Sequence, residues 1–353
     1  MDIDQIFTLD GSWDKLKNTD KPVCIYGTGN ACEKILEEFR HRGITCSAIF
    51  ASEGFVRDRE FAGFHVMSYS EVIDEFGDPL ICCAFGSELP DVMNYIKGLS
   101  QKHELVFPDL PVAGSELFSV QGLFERYDRV KELYGMLSDD LSKKVLNGVL
   151  SFKVTGDISF LTPLFSDPEN DLLSIVKPNK CDSYADLGAY NGDTAQRFIQ
   201  LAGGYEHIYV FEPDKKSFRK CLERMKRLDN ITFINSAAWN SDGNIGFSQT
   251  ASRQSMISES GEMISARSLD SVLNGRGCSV IKYDVEGAEY EAILGSEQTI
   301  RSSVPRLAVS VYHRPYDIID LPVLISQLDM GYRLYLRQAP YFPAWDTMLY
   351  AVK

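Results

Sequence analysis

The sequence predicts an α/β protein with two Rossmann-like sheets: a smaller one first, then a larger, mostly parallel sheet with an antiparallel edge strand. A helical connector joins them. Three observations lead there. From Asp182 onward, strand-like apolar runs alternate with helical patterns, as a parallel sheet covered by helices on both faces requires. Two stretches, Pro22–Asn30 and Tyr184–Thr194, read as strands that break at glycines into helices. The chain has 353 residues, more than one core usually organises, so two cores are expected. The boundaries that follow are 1–110 for the Rossmann-like N-terminal domain, 111–175 for the connector and 176–353 for the larger domain.

In chain order, residues 1–20 form an amphipathic lead-in whose Ile3, Ile6, Phe7, Leu9, Trp13 and Leu16 supply packing. The first unit runs strand Pro22–Tyr26, turn Gly27-Thr-Gly-Asn30, helix Ala31–Phe39 and strand Ile44–Ala51. A strand and turn at Leu80–Gly86, a helix over Asp91–Leu99 and a strand at Leu105–Phe107 complete it. Gly27 and Gly29 fit the first two positions of a dinucleotide-binding G-x-G-x-x-G. Cys32 stands at the third, and the strand from Ile44 ends in Ala51-Ser52 with no acid for a ribose, so redox use of NAD is disfavoured. The unit loosely resembles small N-terminal domains of some sugar-modifying acyltransferases, which can hold a nucleotide sugar; a scaffolding or dimerising role weighs equally. Pro108–Ser115 is punctuated as a connection. Leu117–Val176 is helical, with Phe124, Tyr127, Val130, Leu133, Tyr134, Leu137 and Leu141 at helical spacing, a stripe that packs or covers a substrate. Further strands are expected at 183–187, 207–211, 231–235, 279–283 and 306–312, with the edge pair near 332–337 and 347–352.

The run Asp186-Leu-Gly-Ala-Tyr-Asn-Gly-Asp193 holds the most chemistry. Its glycines, Gly188 and Gly192, are spaced G-x-x-x-G, and Tyr190 stands where the middle glycine of a dinucleotide turn would meet a pyrophosphate. Asp186, Asp193 and Glu212, which closes the next strand, would repel phosphates and suit a cation. S-adenosylmethionine fits, with a sulfonium and an ammonium to be matched by acids and a ribose diol for Glu212 to accept from.

Four runs in order, Asp186–Asp193, Val210-Phe-Glu-Pro-Asp214, Ile281-Lys-Tyr-Asp-Val-Glu-Gly-Ala-Glu289 and Val311-Tyr-His-Arg-Pro-Tyr-Asp317, resemble the FkbM family of S-adenosylmethionine-dependent methyltransferases. The resemblance covers roughly residue 176 to the end. It implies a class I methyltransferase fold acting on oxygen of a sugar, polyketide or similar small molecule, and adenine binding at the turn Ser236-Ala-Ala-Trp239 through Ser236 and Ala237. Asp186, Gly188, Asn191, Gly192 and Asp193 are then expected at the methionine end.

Asp284 falls at the carboxyl tip of a central strand, where it can pair with the methionine ammonium or take a proton. Glu286 and Glu289 are expected in the first turn of the next helix, where the dipole favours acids. Methyl transfer to oxygen needs an aligned acceptor and a base. His313, at the end of the fifth strand, is the expected base, and Glu286, Tyr312 and Arg314 are expected near the substrate. Asp284, Glu286 and His313 are a weak metal signal, and no metal is expected.

A formal net charge of −14 argues against a broad nucleic-acid surface. An acidic start and the lack of a long apolar run argue against membrane attachment. Eight cysteines without a C-x-x-C pair read as buried free thiols in a reducing, cytoplasmic setting. The expected partner is a small-molecule acceptor such as a sugar or nucleotide sugar, and self-association is compatible with this. Two rival readings are a non-catalytic nucleotide-sugar-binding or scaffolding protein, and an NAD-dependent oxidoreductase using the Gly27 turn.

Overall fold

The central strands of both halves are apolar on both faces and must be covered on both, which dictates strand–helix alternation. The computed structural model describes residues 3–56, 59–249, 255–257 and 262–353. Its first sheet contains β1 (Val23–Tyr26), β2 (Ala48–Phe50), β3 (Glu60–Phe61), β4 (Phe64–Met67), β5 (Leu80–Cys83) and β6 (Leu105–Val106), in the order β3-β4-β2-β1-β5-β6. Every pairing except β3–β4 is parallel. The β3–β4 hairpin and the helix Tyr69–Phe76 are additions to the sequence expectation. Only one position of Phe64–Met67 is fully buried, which leaves no periodicity to read. Ser68 starts that helix with a reciprocal capping box to Glu71.

The second half supplies β7 (Ser183–Leu187), β8 (His207–Phe211), β9 (Ile231–Ile234), β10 (Ala237–Ala238), β11 (Gly243–Gln249), β12 (Ser255–Ile257), β13 (Glu262–Arg267), β14 (Val280–Tyr283), β15 (Arg306–Ser310), β16 (Arg333–Gln338) and β17 (Thr347–Val352). Seven of them form a sheet ordered β16-β17-β15-β14-β7-β8-β9, antiparallel only where β17 meets β15 and β16. Strand order reverses at β7. In open α/β sheets ligands sit outside the carboxyl ends of the strands at such a reversal, here between β7 and β14.

Two local expectations change. Ala237-Ala238 is not part of a free turn but a short strand paired with β13, in a small separate sheet ordered β10-β13-β11-β12. The strand from Arg306 stops at Ser310, which leaves Tyr312 and His313 in the loop beyond it.

One apolar cluster runs from Tyr26 and Phe50 in the first sheet, through Phe107, Leu146, Leu150 and Phe152, to Tyr283, Val309, Leu336 and Leu349 in the second. The helix Asp140–Thr155 is buried from Val145 through Phe152 and lies on β16. Its Ser142 Oγ accepts from the Leu336 amide at 3.0 Å, and the buried Arg337 guanidinium is clamped between Asp139 and Asp171. The carboxyl edges of the two sheets meet: Ser87 and Phe342 exchange backbone hydrogen bonds of 2.8 and 3.1 Å. Beside them Gly86 lies flat against two rings, and a Cβ there would sit 2.8 Å from both Trp345 and Tyr341. All eight cysteines are free, with Cys181 exposed. No described helix is long and apolar enough to cross a membrane.

Candidate active site

The chain leaves β7 through Gly188, whose φ is +91° and where a Cβ would lie 1.9 Å from the Asp284 carbonyl oxygen. Only glycine lets the turn pass this close to the end of β14. The amides of Gly188 and Ala189 both donate to the Phe211 carbonyl, at 3.1 and 2.9 Å, which ties the turn to β8. Tyr190 adopts φ +48° without being glycine, held by its amide donating to Glu212 Oε2 at 2.8 Å. Gly192, φ +81°, opens the helix Asp193–Ala202. Asn191 accepts from the Asp193 amide and Asp193 from the Thr194 amide, so both side chains serve the turn while Asp193 stays exposed.

Glu212 is buried, its Oε1 accepting from the Asp214 amide at 2.7 Å. Burial pushes its carboxyl up to about 7, against the pull of the Asp214 and Tyr190 amides. A carboxylate has about four acceptor sites, so Glu212 retains capacity for a diol. Ser236 and Ala237, after β9, are buried, with Ser236 Oγ donating to Ser265 Oγ at 2.9 Å.

Between β7 and β14 lies a group of charges. Lys282 Nζ stands 3.2 Å from Asp186 Oδ1 and 3.2 Å from Asp284 Oδ2. Burial opposes the charge on Lys282, but the two carboxylates outweigh it and hold the ammonium more firmly than usual. Asp186 is wholly buried, which raises its pKa, and its Oδ2 has no hydrogen-bond partner. Asp284 also accepts from Ser310 Oγ at 2.8 Å.

His313, 1% exposed, sits inside three carboxylates: Nδ1 is 2.9 Å from Glu289 Oε1, and Nε2 is 3.7 Å from Asp284 Oδ1 and 3.6 Å from Glu286 Oε2. Burial disfavours a charged imidazole, but Glu289, then Glu286 and Asp284, overcome it and push His313 up to about 10. The surrounding carboxylates therefore favour the charged form of His313. Glu286 lies before the next helix, not in it. That helix begins at Glu289, and Glu286 takes φ +54° in the preceding turn. Arg314 is exposed, with Nε donating to the Gly287 carbonyl at 2.6 Å.

Residues 186–334 match the family model of the methyltransferase FkbM domain. Over this segment the chain is similar to that domain. The crystal structure of methyltransferase FkbM from Methylobacillus flagellatus KT superposes with a TM-score of 0.74 at 19% identity, covering 98% of this chain and 92% of the other, so the likeness in fold extends over the N-terminal sheet and connector too. Aeropyrum pernix fibrillarin in complex with S-adenosyl-L-methionine (16% identity, TM-score 0.35, 52% of this chain and 70% of that one) also matches. So does precorrin-6y C5,15-methyltransferase from Geobacter metallireducens GS-15 (11%, 0.34, 52% and 87%). No curated protein matches the sequence.

Next to the charge cluster of the matched segment, a cleft opens toward the first sheet. Tyr312, His313 and Trp345 from the second half line it together with Ala84, Phe85, Phe107, Phe152 and Lys153. Arg314 borders this cleft and a second one that it shares with Trp239 and Tyr290, which places Trp239 on the outer side of the helix Glu289–Leu294. Sequence reasoning missed Lys282, Trp345 and Phe85. Lys282 did leave a signal: it is the one charged residue in the otherwise apolar strand Val280–Tyr283.

Proposed function

We propose that this chain is an S-adenosylmethionine-dependent methyltransferase that methylates a hydroxyl of a sugar, glycan or natural-product small molecule. The observation that carries the reading is Asp186. Inside the matched domain, at the strand-order reversal, it is a wholly buried carboxylate with one oxygen bound to Lys282 and the other, Oδ2, without a partner. A cationic methionine end supplies what that oxygen needs. Asp186, Gly188, Asn191, Gly192 and Asp193 hold that end, Glu212 the ribose, Ser236 and Ala237 the adenine, and Asp284 the ammonium. When bound, the cofactor would supply an electrophilic methyl group for the acceptor oxygen.

The chain's own groups align the acceptor and remove its proton. Glu286 is the carboxylate that accepts that proton, because its side chain is 37% exposed while that of neighbouring His313 is 1% exposed. His313 fixes the carboxylates that face it. Phe85, Tyr312 and Trp345 give the cleft flat apolar walls of the kind that stack on a sugar ring or a planar natural product. At the Gly27 turn, by contrast, a Cβ would meet the Phe85 ring at 2.7 Å, so a side chain rather than a ligand covers it, which disfavours the NAD reading.

Isothermal titration with S-adenosylhomocysteine tests this. Binding is expected in the wild type and its loss in Asp186→Asn, followed by a gain of one methyl group on the true acceptor by mass spectrometry. A folded wild-type protein that takes up NAD or a nucleotide sugar but not S-adenosylhomocysteine would sink the reading.

A further inference from the structure

We infer that Asp284, Glu289 and His313 form a divalent cation site behind the acceptor cleft, which His313 lines, with Glu286 beside it. Each of the three offers a ligand atom, and these atoms lie within 4.8 Å of one another. Glu289 and His313 are both 1% exposed, and Glu289 Oε2 and His313 Nδ1 have no hydrogen-bond partner. Although Nδ1 is 2.9 Å from Glu289 Oε1, that oxygen lies off the direction of a ring N–H, and it already accepts from the Val285 amide at 2.8 Å. Leaving Glu289 Oε2 buried and unbonded costs about 1–3 kcal/mol, a cost that a cation shared with His313 removes.

Charge points the same way. Four carboxylates, Asp186, Asp284, Glu286 and Glu289, surround Lys282 and His313, so negative charge exceeds positive by two even with the imidazole charged, and a cation bound to His313 takes the place of its ring proton. Two carboxylates and one imidazole are a donor set for manganese, or for iron or zinc at higher affinity. Spacing along the chain suggests Asp284 with Glu286 and hides Glu289, which the start of its helix turns inward. An ion here lowers the pKa of an acceptor hydroxyl that reaches it, a consequence that rests on the methyl-transfer reading, whereas ion binding itself does not.

The test is a titration of EDTA-treated full-length protein with Mn2+, the free ion read by its electron paramagnetic resonance signal, with no cofactor present. Saturable uptake of one ion per chain is expected, with affinity falling at least about tenfold in Glu289→Gln and in Asp284→Asn. Asp284 is partly exposed, so its variant serves if the buried Glu289→Gln fails to fold by circular dichroism. A wild type that takes up no Mn2+, or folded variants that bind it as tightly, overturns the site. S-adenosylhomocysteine titrated into the same samples separates the two failures. If it binds where Mn2+ does not, the metal is removed and the methyltransferase reading stands; Mn2+ uptake without it does the reverse.

Discussion

Glu212 and Lys282 give the sharpest expectations for single side chains. Burial raises the Glu212 carboxyl from an ordinary 4.5 to about 7. Between those values the folded protein holds a proton that the unfolded chain has lost, so the stability from Glu212 is present at low pH and is lost as pH rises through about 7. Ribose hydroxyls donating to the ionised carboxylate work the other way. Affinity for S-adenosylhomocysteine is therefore expected to rise with pH through about 7, and the dependence to vanish in Glu212→Gln, as calorimetry at several pH values would show. Lys282 lies directly opposite Asp186 across the β7–β14 pairing. Lys282→Met strands Asp186 and Asp284 without their cation, and urea unfolding should show a loss of about 3–5 kcal/mol. Asp186 and Glu212 were legible because acids beside a glycine turn are unusual. The importance of Lys282 was not, because register across a sheet has no trace in linear spacing, and neither has the convergence of Glu289, Glu286 and Asp284 on His313.

At the level of elements, the turn between β7 and its helix is both the most legible and the least tolerant. Gly188→Ala would combine a positive φ with a Cβ 1.9 Å from a backbone oxygen. Strain of at least about 1–3 kcal/mol is expected, seen as a lower melting temperature together with lost S-adenosylhomocysteine binding. A variant that keeps both would show that the turn has room to move. The main strands were legible because they are buried on both faces and end at glycines or acids. The β3–β4 hairpin and the sheet of β10–β13 were not: their strands are short or mixed in polarity, and β10 pairs with a strand more than twenty residues away.

For the whole molecule, the sequence divides the chain more cleanly than the fold does. Helical periodicity along Leu133, Leu137 and Leu141 announces a buried face but not what it is buried against. In the fold, the connector and both sheets share one apolar cluster. Full-length protein should therefore unfold in a single urea transition by both fluorescence and circular dichroism, and a fragment of residues 176–353 should be insoluble or lack near-ultraviolet dichroism. Two separate transitions would mean that the halves are independent.

The meeting of Gly86 with Tyr341 and Trp345 sets a condition on the protein's inheritance. A side chain gained at 86 displaces Trp345, which borders the cleft, and the Tyr341 ring packed on it, so it is survivable only beside a smaller residue at 341 or 345. In a randomised library selected for turnover, these three positions should change together, and the two halves cannot be exchanged piecemeal with those of a distant relative.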